Sequence, residues 1–566
     1  MRLAFFLTFL LIIVFFVDIN YSQDLSREEL DSLFNKLIYL NSHGLKDKSI
    51  KSVLGEVEQE KCGFGLVSTI KVNYSRFTPQ QQQNIKKILQ VPDLQTSFIT
   101  PNGFFRVHYD SVIRRDTVNI IPIDTNNIPS YDNRPLKECL DLISQTLDSV
   151  YNFEIKNLGY LFPNPDNSPY DIYISNSTLN SYGYTEPDSS RDNGTYSSHI
   201  VIHNNYSNFK TKGINGARVT LAHEFHHAIQ IGRYIYRYDL DEFFYELSAT
   251  AMEEFVYDSI NDYYNYLPSY FNNTQNAFAC SSCNGGRQQY ALAIWNIFLR
   301  DRFGYDILRK QWELMPQMRA MDAISTSISQ YGSTYKKEFS EFGVWLFYTD
   351  DRAIEGKYFK EAANYPLPDF INKYNLPVSE IQGSAYPTSQ NFIRFLNQKD
   401  SGDIDTIDVI VTNSDYRNGI NNLSSLFPYQ LSVSYSSSSG KINYYTYLTA
   451  DNSSLWSNTI ILNNEIIPTL VLNYAYPNPF FYNKNNHIEI PTAAGNSQKV
   501  DLNIYTVSMI LVYSDNDYAS PGKKGSFVLK WNGLDSKGKK LPSGVYIYIT
   551  KNGNSTTLGK IVIFNE

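Results

Sequence analysis

Apolar and polar positions follow different periods along the chain, and the changes of period divide it. SREELDSLFNKLIYL sets Leu, Ile and Phe at helical spacing, so residues 23–100 begin as a helix within a polar, partly helical region. The glutamines at 80–83 suit a surface helix or linker. NGFFRVHYD (102–110) alternates as a strand does, KECLDLISQTLDSVYNFEI (137–155) is amphipathic at helical period, and YDIYIS (170–175) and SSHIVIH (197–203) alternate again. A helical stretch follows from about 216 to 345, and this order predicts an α+β unit.

Beyond Pro366 the pattern shortens. Runs such as DTIDVIVT and YQLSVSYSS between Asn, Ser and Gly turns predict an all-β module over 366–470. A last β module over 474–566 carries HIEIP, KVDLNIYTV, SFVLKW and GVYIYIT, with turns at SKGKKLPSG and KNGNST. No repeat of fixed period is present, which excludes a solenoid.

The extreme N-terminus has another character. Arg2 precedes LAFFLTFLLIIVFFV, fifteen apolar residues from Leu3 to Val17. That length is short for a membrane span and suits the core of a signal peptide over 1–22, with cleavage near Ser22. The chain is therefore expected to be secreted or held at the cell surface, with residues 23–100 a candidate propeptide. No later segment has eighteen apolar residues in a row, so no transmembrane segment is expected in the mature chain.

Composition narrows the function classes. Of 566 residues, 42% are hydrophobic, enough for several packed cores, and the formal net charge is -8. No basic run exists, which argues against nucleic acid as a partner. The 45 Tyr and 34 Phe suit tyrosine-rich sheets. In an oxidising compartment the four cysteines read first as disulfides, and Cys62–Cys139 with a local Cys280–Cys283 loop is the favoured pairing.

Chemistry concentrates in NGARVTLAHEFHHAIQIGRY, residues 215–234. Val219, Leu221, Ala222, Phe225, Ala228 and Ile229 give it helical period, and Gly232 is the expected stop. His223 and His227 are four apart, so both imidazoles leave one face of the helix about a turn apart, as two nitrogen ligands of one zinc ion require. Glu224 is one helical step away and can act on an activated water without binding the metal. By chance HExxH arises in about one in two hundred chains of this composition.

A third ligand must come from elsewhere. Position 230 is Gln and position 233 is Arg, which excludes the third histidine of HExxHxxGxxH. A second helix runs through FFYELSATAMEEFVYD, with Asp239 and Glu242 as its expected capping pair. Glu246 follows His227 after eighteen residues, and the small Ser248, Ala249 and Ala251 let this helix approach closely. Glu246 is the expected ligand. Glu253, seven residues on, shares its face and suits support of the ligands, and Glu254 is the further competitor. His108, His199 and His203 fall in strands and His226 on another face of the motif helix, so packing or hydrogen bonding explains each.

HEFHH followed by ELSA (246–249) resembles the gluzincin metallopeptidases. With FFRVHYD (104–110), AHEFHHAIQ (222–230) and GGRQQYALAIW (285–295), the chain is similar over about 60–345 to bacterial secreted metalloproteases that carry a C-terminal sorting domain. The resemblance implies a zincin-like metallopeptidase domain over 101–365, with zinc on two His and one Glu. Two departures stand out: Thr250 replaces the Asp that thermolysin-like enzymes place four residues after the ligand Glu, and no GAMEN-like exopeptidase segment precedes the motif.

YAYPNPF (474–480), WNGLDSKGKKLPSGVYIYIT and LGKIVIF resemble the immunoglobulin-like C-terminal sorting domain of type IX secretion substrates, although Met509 stands where a turn Gly is usual. The fold class expected is multidomain: a zincin-like α+β metallopeptidase domain followed by all-β, immunoglobulin-like sandwich modules. The expected function is zinc-dependent hydrolysis of peptide bonds in extracellular proteins. His223, His227 and Glu246 would bind zinc, Glu224 would serve as general base, and Tyr290 or Arg287 would stabilise the oxyanion. Protein or peptide substrate and the secretion machinery are the expected partners. The alternatives are a secreted aminopeptidase and a non-catalytic surface binding protein.

Overall fold

The computed structural model describes residues 25–41, 60–112, 127–376, 378–398, 404–417, 425–438, 441–463, 475–492, 499–521, 527–553 and 555–565. The expected signal peptide (1–22), residues 23–24 and 42–59 of the N-terminal region, and Asn554 of the last turn lie outside these residues. The chain is multidomain with α+β character and divides into two compact units. One holds the described residues up to Ile371 together with Ser379–Ile393 and Val409–Thr459, and the other holds Asn372–Val378, Arg394–Asp408 and Ile460–Glu566. No helix among the described residues is long and apolar enough to cross a membrane.

The first unit is organised by a six-stranded sheet of β1 (Glu60–Cys62), β2 (Thr96–Ile99), β3 (Phe105–Tyr109), β4 (Tyr170–Ser175), β5 (Ser181–Ser190) and β6 (Tyr196–His203), in the order β1-β5-β6-β4-β3-β2. Alternation located β3, β4 and β6, whose Phe105, Val107, Ile172, Ile174, Ile200 and Ile202 are buried. It did not locate β5. Ser181–Pro187 are buried on both faces, so SYGYTEP shows no alternation, and Gly and Pro interrupt its strand character. β5 runs antiparallel to β6, and β1 pairs with its other edge in parallel.

The HExxH segment lies on a helix spanning Gly213–Ile229, and every residue from Val219 to Ile229 is buried. It is a central helix rather than a surface one, packed on β5 and β6. Gly183 makes that approach possible: a Cβ there would sit 2.7 Å from Thr220 Cγ2 and 2.8 Å from the Val201 carbonyl oxygen. The helix does not stop at Gly232 as expected. It passes into a π-helical turn over Gln230–Tyr234, which keeps the Gln230 side chain beside His227.

The next helix, Tyr238–Val256, packs along the motif helix. It starts ahead of Asp239 and is kinked at Asp241 (φ -132°, ψ 25°), so the expected Asp239–Glu242 cap is replaced. Asp241 is instead buried, accepting from Arg237 Nε, Arg319 Nε and the Ala320 amide, while Glu242 accepts from Gln289 Nε2. Helices Ala293–Phe303, Asp306–Leu314, Ala320–Gln330 and Tyr335–Phe347 complete the helical region expected up to 345. On the other side, helices Arg27–Asn41, Phe64–Val72 and Pro79–Ile88 share a core with Leu179, Tyr184 and Val201 of the sheet unit. The last is the glutamine-rich surface helix, closed by a Thr78–Gln81 capping box.

Cys280 and Cys283 form the expected disulfide. The Cys62–Cys139 pairing is not made: both thiols are free and buried. Cys139 hydrogen bonds to the Tyr131 and Arg134 carbonyls, and Cys62 lies at the centre described below.

The described residues between Asn372 and Asn463 form strands β7 (Asn372–Asn375), β8 (Glu380–Ala385), β9 (Ser389–Gln398), β10 (Ile404–Asn413), β11 (Phe427–Ser438), β12 (Lys441–Ala450) and β13 (Trp456–Asn463), with a short 3₁₀ helix at Ser453–Leu455, and β8, β11 and β12 form an antiparallel sheet. The last module comprises β14 (Phe480–Phe481), β15 (Ile488–Pro491), β16 (Lys499–Thr506), β17 (Leu511–Tyr518), β18 (Ser520–Pro521), β19 (Phe527–Trp531), β20 (Gly544–Asn552) and β21 (Ser555–Phe564). They make two sheets, β14-β21-β20-β16-β17 and β15-β19-β18, around one core that includes Ile490, Leu502, Trp531, Tyr548 and Ile561. Met509 adopts φ 60°, the left-handed conformation that favours glycine.

Candidate metal centre

Two helices bring three side chains to one point. His223 Nε2 lies 3.1 Å from His227 Nε2 and 3.2 Å from Glu246 Oε2, and His227 Nε2 lies 3.5 Å from the same oxygen. Ligands held tetrahedrally at 2.0–2.1 Å from one zinc ion are about 3.3 Å apart, so this triangle has the size of a coordination face. All three residues are buried. With the Cys62 thiol they form a group whose potential ligand atoms all lie within 4.8 Å of one another, a buried Cys/His/Glu set that could hold a metal ion.

The outer ring nitrogens are also occupied. His223 Nδ1 is 2.7 Å from Glu253 Oε1, and His227 Nδ1 is 2.7 Å from Gln230 Oε1, whose amide in turn donates to the Tyr245 carbonyl. Partners of this kind fix which nitrogen carries the proton and turn the other toward a metal. The orienting carboxylate that Thr250 cannot supply therefore comes from one turn further on, at Glu253. Phe64 stacks on the His227 ring at 4.3 Å between centroids and holds its plane.

Charges in the cluster move each other. Burial pulls the His223 imidazole down, but hydrogen bonds to Glu246 and Glu253 outweigh it and raise it to about 9. Burial alone would raise the Glu246 carboxyl, and the imidazoles of His227 and His223 bring it well below the usual carboxylate range. Lys61 neutralises the outer layer, paired with Glu253 Oε2 at 2.9 Å and with Asp262, which also accepts from Thr211 and Tyr182. Burial opposes the charge on Lys61, yet Asp262 and Glu253 hold its ammonium well above the usual value.

Glu224 is clamped from two sides. Thr185 Oγ1 on β5 lies 2.9 Å from Oε2 and 2.8 Å from the Glu224 carbonyl oxygen, and the Cys62 thiol donates to Oε1 at 3.0 Å. The carboxylate is thereby fixed beside the His–His–Glu triangle. Cys62 itself accepts from the Phe64 amide at 3.3 Å, and burial, with Glu224 and Glu246, pushes its thiol up.

The other residues singled out in the sequence take varied places. Tyr290 is buried with its ring 6.3 Å from His223, whereas Arg287 stands at the partly exposed start of that short helix. Glu254 groups with Asp258 and Glu361, and burial with those two carboxylates raises it to about 9. His226 is buried against Glu154 at 2.7 Å, His108 pairs with Asp171 and His199 with Asp188, each at 2.8 Å, and His203 accepts from the Asn205 amide. Cys62, Lys61, Thr185 and Gln230 were not recognised as site residues. EKCGFG, where a Lys–Cys pair precedes two glycines, was the sequence signal for Lys61 and Cys62; Gln230 closes AHEFHHAIQ, and no motif marks Thr185.

No protein-family model and no curated protein matches the chain. Among solved structures it is similar to PorZ, described as an essential bacterial surface component of the type-IX secretion system of human oral-microbiomic Porphyromonas gingivalis. The match has 10% identity, covers 30% of each chain and has a TM-score of 0.14, so it carries no argument about fold or function.

Proposed function

We propose that the chain is a secreted zinc metallopeptidase of the gluzincin kind, with zincin architecture in its first unit. The observation that carries this is the buried triangle of His223, His227 and Glu246, with edges of 3.1, 3.2 and 3.5 Å and Glu224 fixed beside it. Buried imidazole nitrogens and a carboxylate at such spacing, the two imidazoles each backed by an oxygen on the far side, are the arrangement expected around a shared cation. Two imidazoles and one carboxylate favour zinc over the hard cations that need all-oxygen sets. Zinc held there would polarise a scissile carbonyl and acidify water.

Within this reading Glu224 takes the proton of the attacking water and delivers it to the leaving amine, while Thr185 holds its carboxylate in place. Glu253 and Gln230 keep the two imidazoles in the tautomer that presents Nε2. Tyr290, buried near His223, is the stronger candidate of the two named for oxyanion donor. The substrate class is an extended protein or peptide. The last β module, read as an immunoglobulin-like sorting domain, would engage the type IX secretion machinery and deliver the protein to the cell surface or medium.

Metal content is the direct test. The purified chain should carry about one zinc, and His223→Ala and His227→Ala should each lose it. Full zinc in both variants, or a wild-type chain that neither purifies with metal nor takes it up, overturns the reading. Cleavage of blocked against free-N-terminus peptides then separates an endopeptidase from an aminopeptidase.

A further inference from the structure

We infer that Cys62 is a fourth protein ligand of the metal, carried on a strand that occupies the β5 edge where an extended peptide substrate would pair. This rests on the metallopeptidase reading above. Two observations meet at the sulfur. The Cys62 sulfur belongs to the same buried cluster as His223, His227 and Glu246. It also lies 3.0 Å from Glu224 Oε1, so the thiol holds the place beside the general base that a reacting water requires. A closed structural zinc site has no need of a second carboxylate against its fourth ligand, whereas a hydrolytic site needs that carboxylate there.

The strand supports the same conclusion. β1 is only three residues long and adds to the edge of β5 in parallel, Glu60 opposite Ser181 and Cys62 opposite Gly183, with the Gly63 amide donating to the Gly183 carbonyl at 2.9 Å. β5 is also the strand whose Thr185 holds Glu224. An extended peptide that reached Glu224 would do so by adding to this edge, the mode of recognition in which main-chain hydrogen bonds supply the affinity. β1 therefore stands in for substrate. Glu60 is fastened to Lys36 at 2.8 Å, Lys61 to Glu253 and Asp262, and Phe64 lies against His227. The centre is sealed: Cys62, His223, Glu224, His227 and Glu246 are each 5% exposed or less.

The consequence is a latent enzyme. With four protein ligands no position would be open to water: the Cys62 proton would pass to Glu224 when the sulfur binds the metal, and peptide cleavage would require the sulfur to take that proton back and leave, and β1 to leave β5. The sulfur is then replaced by water and Glu224 regains a substrate to act on.

X-ray absorption at the zinc edge of the full-length wild-type protein tests the ligand without any variant. One sulfur at about 2.3 Å together with nitrogen and oxygen ligands supports the inference, and a shell of nitrogen and oxygen alone overturns it. Cobalt substitution gives a second readout: the wild type should show a thiolate-to-cobalt charge-transfer band, and Cys62→Ser should lose the band while retaining one cobalt. Cys62→Ser should also raise cleavage of a denatured protein by about tenfold or more, because without the sulfur–metal bond β1 is held only by its strand pairing and side-chain contacts and the competent fraction grows. A variant that loses the band and keeps its metal without gaining activity overturns latency. A wild type that binds no metal at all instead defeats the metallopeptidase reading.

Discussion

His223 and Glu253 meet through the ring nitrogen that faces away from the candidate metal, Nδ1 to Oε1 at 2.7 Å, while the neighbouring Glu246 meets the same ring at Nε2. Two carboxylates on one helix face, seven residues apart, thus take opposite sides of one imidazole. Glu253→Gln should keep the metal with affinity lowered by about 10–100-fold, the usual effect of losing such an outer partner. Glu246→Ala should abolish binding. Competition with a chromogenic chelator measures both, and the reverse order of severity would show Glu253 to be the ligand.

The same pair sets a pH dependence. His223 is raised to about 9 by Glu246 and Glu253 against the opposing effect of burial, so near neutrality its imidazole carries a proton that a metal must displace. Zinc uptake should release that proton to the buffer, and apparent affinity should fall as pH drops below about 9. Calorimetry in buffers of different ionisation enthalpy reads the proton directly.

Lys61 is the counter-ion of two buried carboxylates. Lys61→Met keeps most of the stem and leaves Glu253 and Asp262 without it. Removing one partner of a buried pair costs about 3–5 kcal/mol, and a clear fall in the urea midpoint is expected. An unchanged midpoint would show that solvent reaches these carboxylates.

The sequence makes the α+β character and the all-β C-terminal modules legible because their periods are local: FFRVHYD, YDIYIS and SSHIVIH alternate, and the HExxH helix has its own spacing. What it hides is set by contacts between distant segments. β5 is buried on both faces and shows no period. Cys62 reaches Glu224 only because β1 pairs with β5, and no local rule gives that pairing. Counting cysteines in a chain expected to be exported points to Cys139 instead, which is occupied by its own local carbonyls. Lys61 carries no mark of burial in the sequence, yet it is 5% exposed because Glu253 and Asp262, some two hundred residues on, pair with it.

The last β module closes its own core, with Trp531, Tyr548 and Ile561 inside. Truncation before residue 474 should therefore leave the metal site of the first unit able to bind zinc, and should stop the protein from leaving the cell if the module is a sorting signal. Cell fractionation with metal analysis checks both. Normal export of the truncated chain would remove the sorting role.

Glu224→Gln separates a hydrolytic centre from a structural one. The carboxylate accepts from Thr185 Oγ1 on one oxygen and from the Cys62 thiol on the other. An amide has the same shape, and it keeps one acceptor while adding a donor that a hydroxyl or sulfur can receive, so fold and metal content should be retained. What it lacks is basicity near neutral pH. General-base catalysis contributes about 10²–10⁴-fold, and turnover should fall by at least that order. The comparison belongs on both the wild-type and the Cys62→Ser background, since the thiol occupies the same carboxylate in the wild type. In a purely structural site neither background would show activity for the substitution to remove. Undiminished cleavage of a denatured protein by the zinc-loaded Cys62→Ser, Glu224→Gln chain would eliminate Glu224 as the base.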